Sequence, residues 1–295
     1  MGAPKSKETA SGRIVAAFGR RFLVDTGEAL VSCVPRGKRA ELACGDVVEI
    51  AFTSAGEGVI ESEPVRASLF FRSVAHRRKL IASNAGQLAV VVAAAPSFSD
   101  ELLARALVAG ENAGLKSFIV LNKIDLEAEA TAARERLKQF EAAGYEVLSI
   151  SAKQDVQTVL ERLRGQATVL AGQSGMGKST LINALVPEAD ARTREISTFL
   201  DSGKHTTTHA RLYRVDSDSS IVDTPGMQEF GLAHLDWREI SAGFPEFRPL
   251  MGQCRFPDCR HLSEPNCAIA QAVPEKISPR RLELYRRIVK AEHPV

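Results

Sequence analysis

Two rhythms of apolar residues divide the chain. Over roughly the first 65 positions, short β-like runs fall at residues 12–18, 21–26, 29–35, 46–53 and 58–65, punctuated by Gly19, Gly27, Gly37, Gly45 and Gly56. Runs of this length and spacing predict a small antiparallel barrel of about five strands, an OB-fold. The polar residues 1–11 ahead of them predict a disordered start, so the barrel is assigned to 12–68. Further on, continuous apolar runs alternate with helical patterns. Residues 88–95, 117–121 and 146–150 read as buried parallel strands. Residues 99–113, 127–143 and 155–163 read as helices, the first with Asp100 and Glu101 in its opening turn and Gly114 past its end. Such alternation predicts a mostly parallel sheet covered on both faces, an α/β domain over 69–234. The last segment opens on Ser278 as a cap with Pro279 in the first turn, and Leu282, Tyr285, Ile288 and Val289 form one apolar stripe. It predicts a helix packed within an α-rich C-terminal domain over 235–295.

The α/β region carries four short motifs in an uncommon order. Asn122-Lys123-Ile124-Asp125 comes first and Ser151-Ala152-Lys153 second. Gly172-Gln173-Ser174-Gly175-Met176-Gly177-Lys178-Ser179 follows, and Asp223-Thr224-Pro225-Gly226 comes last. The third fits the phosphate-loop pattern, with a strand at 168–171 before it and a helix from Thr180 to follow. Its glycines let backbone N–H groups turn toward a polyphosphate, and the helix N-terminus adds partial positive charge. Lys178 is expected on the β- and γ-phosphates and the Ser179 hydroxyl on Mg²⁺. Asp125 can accept hydrogen bonds from both N1–H and the exocyclic amine of guanine, a donor pair adenine lacks. Asp223 is expected to hold Mg²⁺ through a water, and the Gly226 amide to sense the γ-phosphate. Ordinary GTPases place the phosphate loop first; here the order is rotated, which predicts a circularly permuted GTPase domain.

Between the phosphate loop and Asp223 lies Gly203-Lys204-His205-Thr206-Thr207-Thr208. A switch threonine ordered by γ-phosphate and Mg²⁺ must fall here. Thr206, Thr207 and Thr208 compete for the role, and Thr207 is the register chosen. A glutamine often follows the Asp-x-x-Gly motif and orients the attacking water. Met227 stands at that position, with Gln228 one residue too far along. A thioether cannot position water, so unaided hydrolysis is expected to be slow, with His205 the candidate substitute.

Cys254-x4-Cys259-x-His261-x5-Cys267 supplies three thiols and an imidazole, the donor set of a closed structural Zn²⁺ site. A disulfide is the rival, disfavoured because no secretory signal is seen and a reducing compartment is expected. Cys33 and Cys44 lie far upstream and read as ordinary buried residues.

Composition adds limits. With 295 residues, 44% of them hydrophobic and 25% charged, the chain can form two or three domains, and no apolar run approaches a membrane span. A net charge of +2 does not by itself announce nucleic acid. Two basic clusters, Arg66, Arg72, His76, Arg77, Arg78 and Lys79, then Arg280, Arg281, Arg286, Arg287 and Lys290, read either as solvated faces, the usual outcome for a charge run, or as phosphate contacts to RNA, which two basic segments flanking a GTPase fit.

Taken together, the barrel, the permuted motif order, Gly-Lys-His-Thr-Thr-Thr, Asp-Thr-Pro-Gly and the cysteine cluster resemble the RsgA/YjeQ family of circularly permuted GTPases from residue 12 onward. The resemblance implies a cytoplasmic, monomeric GTPase, stimulated by the small (30S) ribosomal subunit and acting late in its maturation on 16S rRNA. It implies guanine contacts from Asn122 and Asp125, phosphate and Mg²⁺ contacts from Lys178 and Ser179, water positioning by His205, and one zinc on Cys254, Cys259, His261 and Cys267. Two departures are Met176, where the family commonly has valine, and the absence of an acid in Asn84-Ala85-Gly86-Gln87. Two other classes compete: a zinc/OB-fold RNA-binding protein with a vestigial nucleotide site, and a nucleotide-dependent kinase or transporter component. Intact Lys178, Ser179, Asp223, Asn122 and Asp125 oppose the first; the guanine motif opposes the second.

Overall fold

The computed structural model describes residues 8–37, 41–74, 77–189, 210–224 and 230–294. Five strands open it: β1 (Thr9–Phe18), β2 (Arg21–Asp25), β3 (Leu30–Pro35), β4 (Val47–Ser54) and β5 (Glu57–Ile60). β1 pairs antiparallel with both β2 and β4, and β3 runs parallel to β5, so the ladder closes on itself. Closure leaves no free edge. Ile14, Phe22, Val24, Val31, Cys33, Val48 and Ile50 fill the interior. β1 begins before the expected residue 12, because Thr9, Ala10 and Ser11 pair with Ala51, Ile50 and Glu49 of β4. Local polarity suggested an irregular start, but a partner strand satisfies the backbone there. The last barrel strand stops at Ile60, short of the expected residue 65.

Arg66 does not join a free basic surface. Its guanidinium donates from Nε to Asp46 Oδ1 and from Nη2 to Oδ2, both at 2.7 Å, and Asp46 is fully buried. The rest of that cluster falls on a hairpin the apolar pattern did not reveal, β6 (Leu69–Val74) and β7 (Arg77–Ser83), with Lys79 exposed. His76 lies outside the described residues.

The central domain follows as β8 (Gln87–Ala93), α1 (Asp100–Asn112), β9 (Lys116–Asn122), α2 (Glu127–Glu141), β10 (Glu146–Ser149), α3 (Gln157–Leu163), β11 (Ala167–Ala171), α4 (Lys178–Leu185), β12 (Arg211–Arg214) and β13 (Ser220–Asp223). Its strands lie in the order β10-β9-β8-β11-β13-β12, parallel except for β12. β8 is buried at every position, as its unbroken apolar run requires. The rotated motif order becomes topology here: β11 comes fourth along the chain among these six strands but sits in the middle, between β8 and β13. β12 touches β1 through Ala16 and Arg211, which joins barrel and α/β sheet edge to edge.

The C-terminal unit contains α5 (Trp237–Ala242), a 3-10 turn (Pro245–Leu250), α6 (Ala268–Gln271) and α7 (Pro279–Glu292). Asp236 and Glu239 form a reciprocal capping box that starts α5. Ser278 precedes α7 as expected but makes no side-chain cap bond; its carbonyl receives Arg281 N–H instead. Leu282, Tyr285, Ile288 and Val289 are all buried, with the Tyr285 ring against Phe244 and Phe247. Arg281 leaves the expected basic face. It is 1% exposed, paired with Glu246 (2.6 Å) and held between the rings of Phe140 and Phe244. Along α1 the unit is fastened by Arg248 to Glu111 (2.6 Å) and by Asn112 to the Glu239 carbonyl (3.1 Å). Among the described residues no helix is long and apolar enough to cross a membrane.

Candidate functional site

The C-terminal ends of parallel strands leave backbone groups and loops facing one crevice, which is where ligands bind in open α/β sheets. Three of the predicted motifs meet there. Residues 172–179 leave β11, Asn122 ends β9, and Ser151 follows β10. Gly172 and Gly177 are required by geometry: a Cβ on Gly172 would lie 2.3 Å from the Val91 carbonyl, and one on Gly177 would lie 2.4 Å from Asn122 Nδ2. Gly177 also has φ +85°, which L side chains rarely adopt. Met176 is buried in the core, so it packs the loop from beneath.

Asn122 is the brace of this crevice. It is 2% exposed, and all its polar atoms bind backbone. Nδ2 donates to the Met176 carbonyl at 3.0 Å, and Oδ1 accepts from the N–H groups of Lys123 (2.8 Å) and Ala152 (3.0 Å). One amide thereby ties the three loops together. Lys123 adds a second tie, its Nζ donating to the carbonyls of Ala95 (2.7 Å) and Gly175 (2.8 Å). Asp125 differs from both. It is exposed, and the Ser151 hydroxyl donates to Oδ1 at 2.6 Å. That bond, with Lys153 and Lys123 adding attraction, holds its pKa below the usual carboxylate value. Lys153 is exposed at the same mouth.

Lys178 starts α4 and is buried, its Nζ donating to the carbonyls of Gly172 (2.6 Å) and Gln173 (3.1 Å). Burial lowers its pKa, and the charge of Asp223 opposes that shift. Asp223, at the end of β13, has its own pKa pushed up to about 6 by burial, against the pull of Lys178 and Arg211. Its Oδ1 is buried with no hydrogen-bond partner. An orphaned carboxylate oxygen on a residue that feels the charge of Lys178, with Ser179 and Thr180 exposed next to that lysine in the chain, suits a hydrated cation that arrives with a phosphate. Ser174 is exposed on the loop, and Gln173 accepts the Ser99 N–H at 2.6 Å, tying the loop to the cap of α1. Gly226, Met227, Gln228, His205, Thr206, Thr207 and Thr208 lie outside the described residues.

The cysteine cluster is assembled as the spacing suggested. The ligand atoms of Cys254, Cys259, His261 and Cys267 all lie within 4.8 Å of one another. His261 Nδ1 sits 3.5 Å from Cys254 Sγ, 3.5 Å from Cys259 Sγ and 3.4 Å from Cys267 Sγ, and Cys254 and Cys267 Sγ are 3.9 Å apart. A tetrahedral ion with metal–sulfur bonds near 2.3 Å and a metal–nitrogen bond near 2.05 Å has edges of about 3.5 and about 3.8 Å. The donor set fits that ion, and all five cysteines of the chain are free. Burial pushes the Cys259 thiol up to about 12, so a cation is what would draw out its thiolate. Burial lowers the His261 pKa, which keeps it neutral as a ligand must be. The surrounding loop is set by the Glu264 carboxylate, which accepts N–H bonds from Arg260, Leu262 and Ser263, and by the Tyr285 hydroxyl, which donates to the Arg260 carbonyl. Glu264, Ser151 in its bond to Asp125, and Gln173 in its bond to Ser99 carried no signal in the sequence beyond proximity to motifs.

The sequence profile of the RsgA GTPase family matches residues 64–233. A protein of Nitrosomonas europaea named small ribosomal subunit biogenesis GTPase RsgA is 50% identical, over 98% of this chain and 95% of its own. A protein of the same name from Burkholderia pseudomallei is 49% identical, over 97% and 94%. Among solved structures, YjeQ from Thermotoga maritima is 27% identical with TM-score 0.73, over 98% of this chain and all of its own. YloQ, described as a circularly permuted GTPase, shares the fold with TM-score 0.69 at 24% identity, over 99% and 98% of the two chains.

Proposed function

The chain belongs to the RsgA GTPase family, and on that premise we propose how its residues carry out hydrolysis and where the activity is used. The protein is a GTPase that acts in the biogenesis of the small ribosomal subunit. The carrying observation is the single crevice that joins the buried Lys178–Asp223 pair, with an unpartnered Asp223 oxygen, to an exposed, ionised Asp125.

In this reading Asp125 accepts the two guanine N–H groups, and Lys153 and the Ala152 segment line the base. Asn122 and Lys123 act on the nucleotide indirectly, by holding the loops at fixed separation. The amides of residues 172–179 face the phosphates, and Lys178 exchanges its two loop carbonyls for β- and γ-phosphate oxygens. Ser179, Thr207 and Asp223 would hold Mg²⁺, which supplies charge neutralisation when bound. Water adds to the γ-phosphorus as the bond to the β–γ bridging oxygen breaks, the electron pair leaves on GDP, and the proton of water ends on inorganic phosphate. His205 positions that water in place of the glutamine that Met227 displaces.

The C-terminal cluster holds one structural Zn²⁺ per chain. Its partner is the small subunit and its 16S rRNA, met through the barrel, the β6–β7 hairpin and the exposed Arg280, Arg287 and Lys290 of α7. The protein works as a cytoplasmic monomer. The test is GTP turnover with and without purified small subunits, with large subunits and Lys178→Ala as controls. Strong stimulation by small subunits alone is expected. Fast unaided turnover, or none with subunits, would overturn the reading.

A further inference from the structure

Helix α1 meets the phosphate loop, the chain beyond the Asp-x-x-Gly motif and the C-terminal unit at once. At its start, the Ser99 N–H is held by Gln173 of the phosphate loop. Six residues on, the Arg105 guanidinium donates to the carbonyl of Phe230 at 3.4 Å. Arg105 is 7% exposed. It also pairs with Glu101 on its own helix (3.0 Å) and, through the same Nη1, with Glu292 at the end of α7.

Phe230 is four residues beyond Gly226, where the chain leaves the Asp-x-x-Gly motif. The near side of that motif is anchored on the sheet, because Thr224 donates both its N–H and its hydroxyl to the Leu170 carbonyl. The far side has different anchors. The Phe230 ring meets Phe70 at 5.9 Å, Gly231 accepts the Ser73 N–H at 2.9 Å, and His293 beside Glu292 bonds the Leu235 carbonyl at 2.8 Å. Arg105 links this exit to α1, whose cap holds Gln173 of the phosphate loop, and to the C-terminal helix.

We propose that Arg105 is a positioning residue for GTP hydrolysis: it fixes the exit of the Asp-x-x-Gly motif through the Phe230 carbonyl, and Glu292 makes that grip depend on the docked C-terminal helix. A buried guanidinium shared by two carboxylates has little freedom to reorient, so it holds one carbonyl in a defined place. Moving α7 withdraws one carboxylate and loosens the grip. The inference rests on the GTPase reading and adds to it a route from the C-terminal unit to the nucleotide.

The experiment uses full-length Arg105→Lys and Glu292→Ala, with Arg248→Gln as control. Arg248 bridges the same two units through Glu111, and its other bond goes to the Ala242 carbonyl rather than to Phe230. Turnover at saturating GTP, KM, GDP affinity and zinc content are measured for each. Lysine keeps the charge but loses the fork, and about a fivefold fall in kcat is expected, equivalent to ~1 kcal/mol. Glu292→Ala falls in the same direction. KM and GDP affinity stay within about twofold in both variants, since ground-state binding is untouched. Arg248→Gln keeps wild-type kcat. Wild-type kcat in zinc-replete Glu292→Ala and Arg105→Lys would overturn the proposal, as would an equal loss in Arg248→Gln or a parallel loss of GDP affinity. Wild-type turnover no greater than that of Lys178→Ala would instead overturn the GTPase reading itself.

Discussion

Replacing Asn122 by alanine separates a brace from a base reader. The amide makes three hydrogen bonds to backbone, at 3.0, 2.8 and 3.0 Å, and the residue is 2% exposed. Alanine leaves the Met176 carbonyl and the N–H groups of Lys123 and Ala152 without that partner. At about 1 kcal/mol for each net bond, the loss is ~3 kcal/mol, rising toward ~5 where water cannot reach the freed groups. For a domain of this size each kcal/mol lowers Tm by about 2–4 °C, so a fall of roughly 6–12 °C is expected by thermal denaturation. If the loosened loops express the ~3 kcal/mol loss in binding, GDP affinity drops by about 150-fold. Nucleotide discrimination should change less than stability, because Oδ1 and one Nδ2 N–H are committed to backbone and the residue is 2% exposed. Asp125→Asn should behave in the opposite way. Asp125 is exposed, so Tm should move by no more than the ~0.5 kcal/mol typical of surface changes, while preference for guanine collapses. Melting curves and competition of GDP against ADP for a fluorescent nucleotide measure both. An Asn122→Ala protein with wild-type Tm and lost guanine preference would refute the reasoning.

Three further outcomes are expected. Stripping the metal with a chelator, or Cys259→Ser, should remove about one zinc per chain and unfold the C-terminal unit, since structural zinc sites contribute ~10–16 kcal/mol in small domains; emission of Trp237, the chain's single tryptophan and 6.4 Å from the His261 ring, should shift to the red, and an unchanged spectrum after complete metal loss would count against the site. Asp223 has a folded pKa of about 6, above the usual carboxylate value, so in the nucleotide-free protein its contribution to stability is complete below about pH 4 and is lost as pH rises through 6. Mg²⁺-dependent GTP binding needs the carboxylate and should strengthen across that same window; titrations at pH 5.5 and 7.5 in wild type and Asp223→Asn check this, and a pH-independent wild type would contradict it. Arg281→Ala strands the Glu246 carboxylate in the interior and should cost about 3–5 kcal/mol in denaturant titrations, whereas Arg281→Met with Glu246→Leu should be close to neutral.

Much of this molecule was legible from residue order. An unbroken apolar run dictated β8, since only a strand covered on both faces can bury every side chain. The glycines of residues 172–179 and the four donors between Cys254 and Cys267 named their chemistry, because phosphate cradles and tetrahedral ions impose spacing on sequence. Even the circular permutation could be read, since motif order is a property of the chain. Local patterns misled where a distant partner decided the outcome. Thr9 to Ser11 look irregular until β4 pairs with them, and Arg66 and Arg281 look like surface charge until Asp46 and Glu246 meet them in the interior.

What the sequence determined by itself is the set of chemical groups and the class of fold, because propensity, periodicity and motif spacing act over a few residues. Tertiary structure decided how those groups divide the work. Asn122 and Asp125 are three residues apart in one motif, yet one is buried and bonded only to backbone while the other stands in solvent. Arg105 carries no motif at all, and its three partners come from α1, from the exit of the Asp-x-x-Gly segment and from the last helix. Burial and long-range contact depend on where the whole chain packs, and no local window of sequence contains that information.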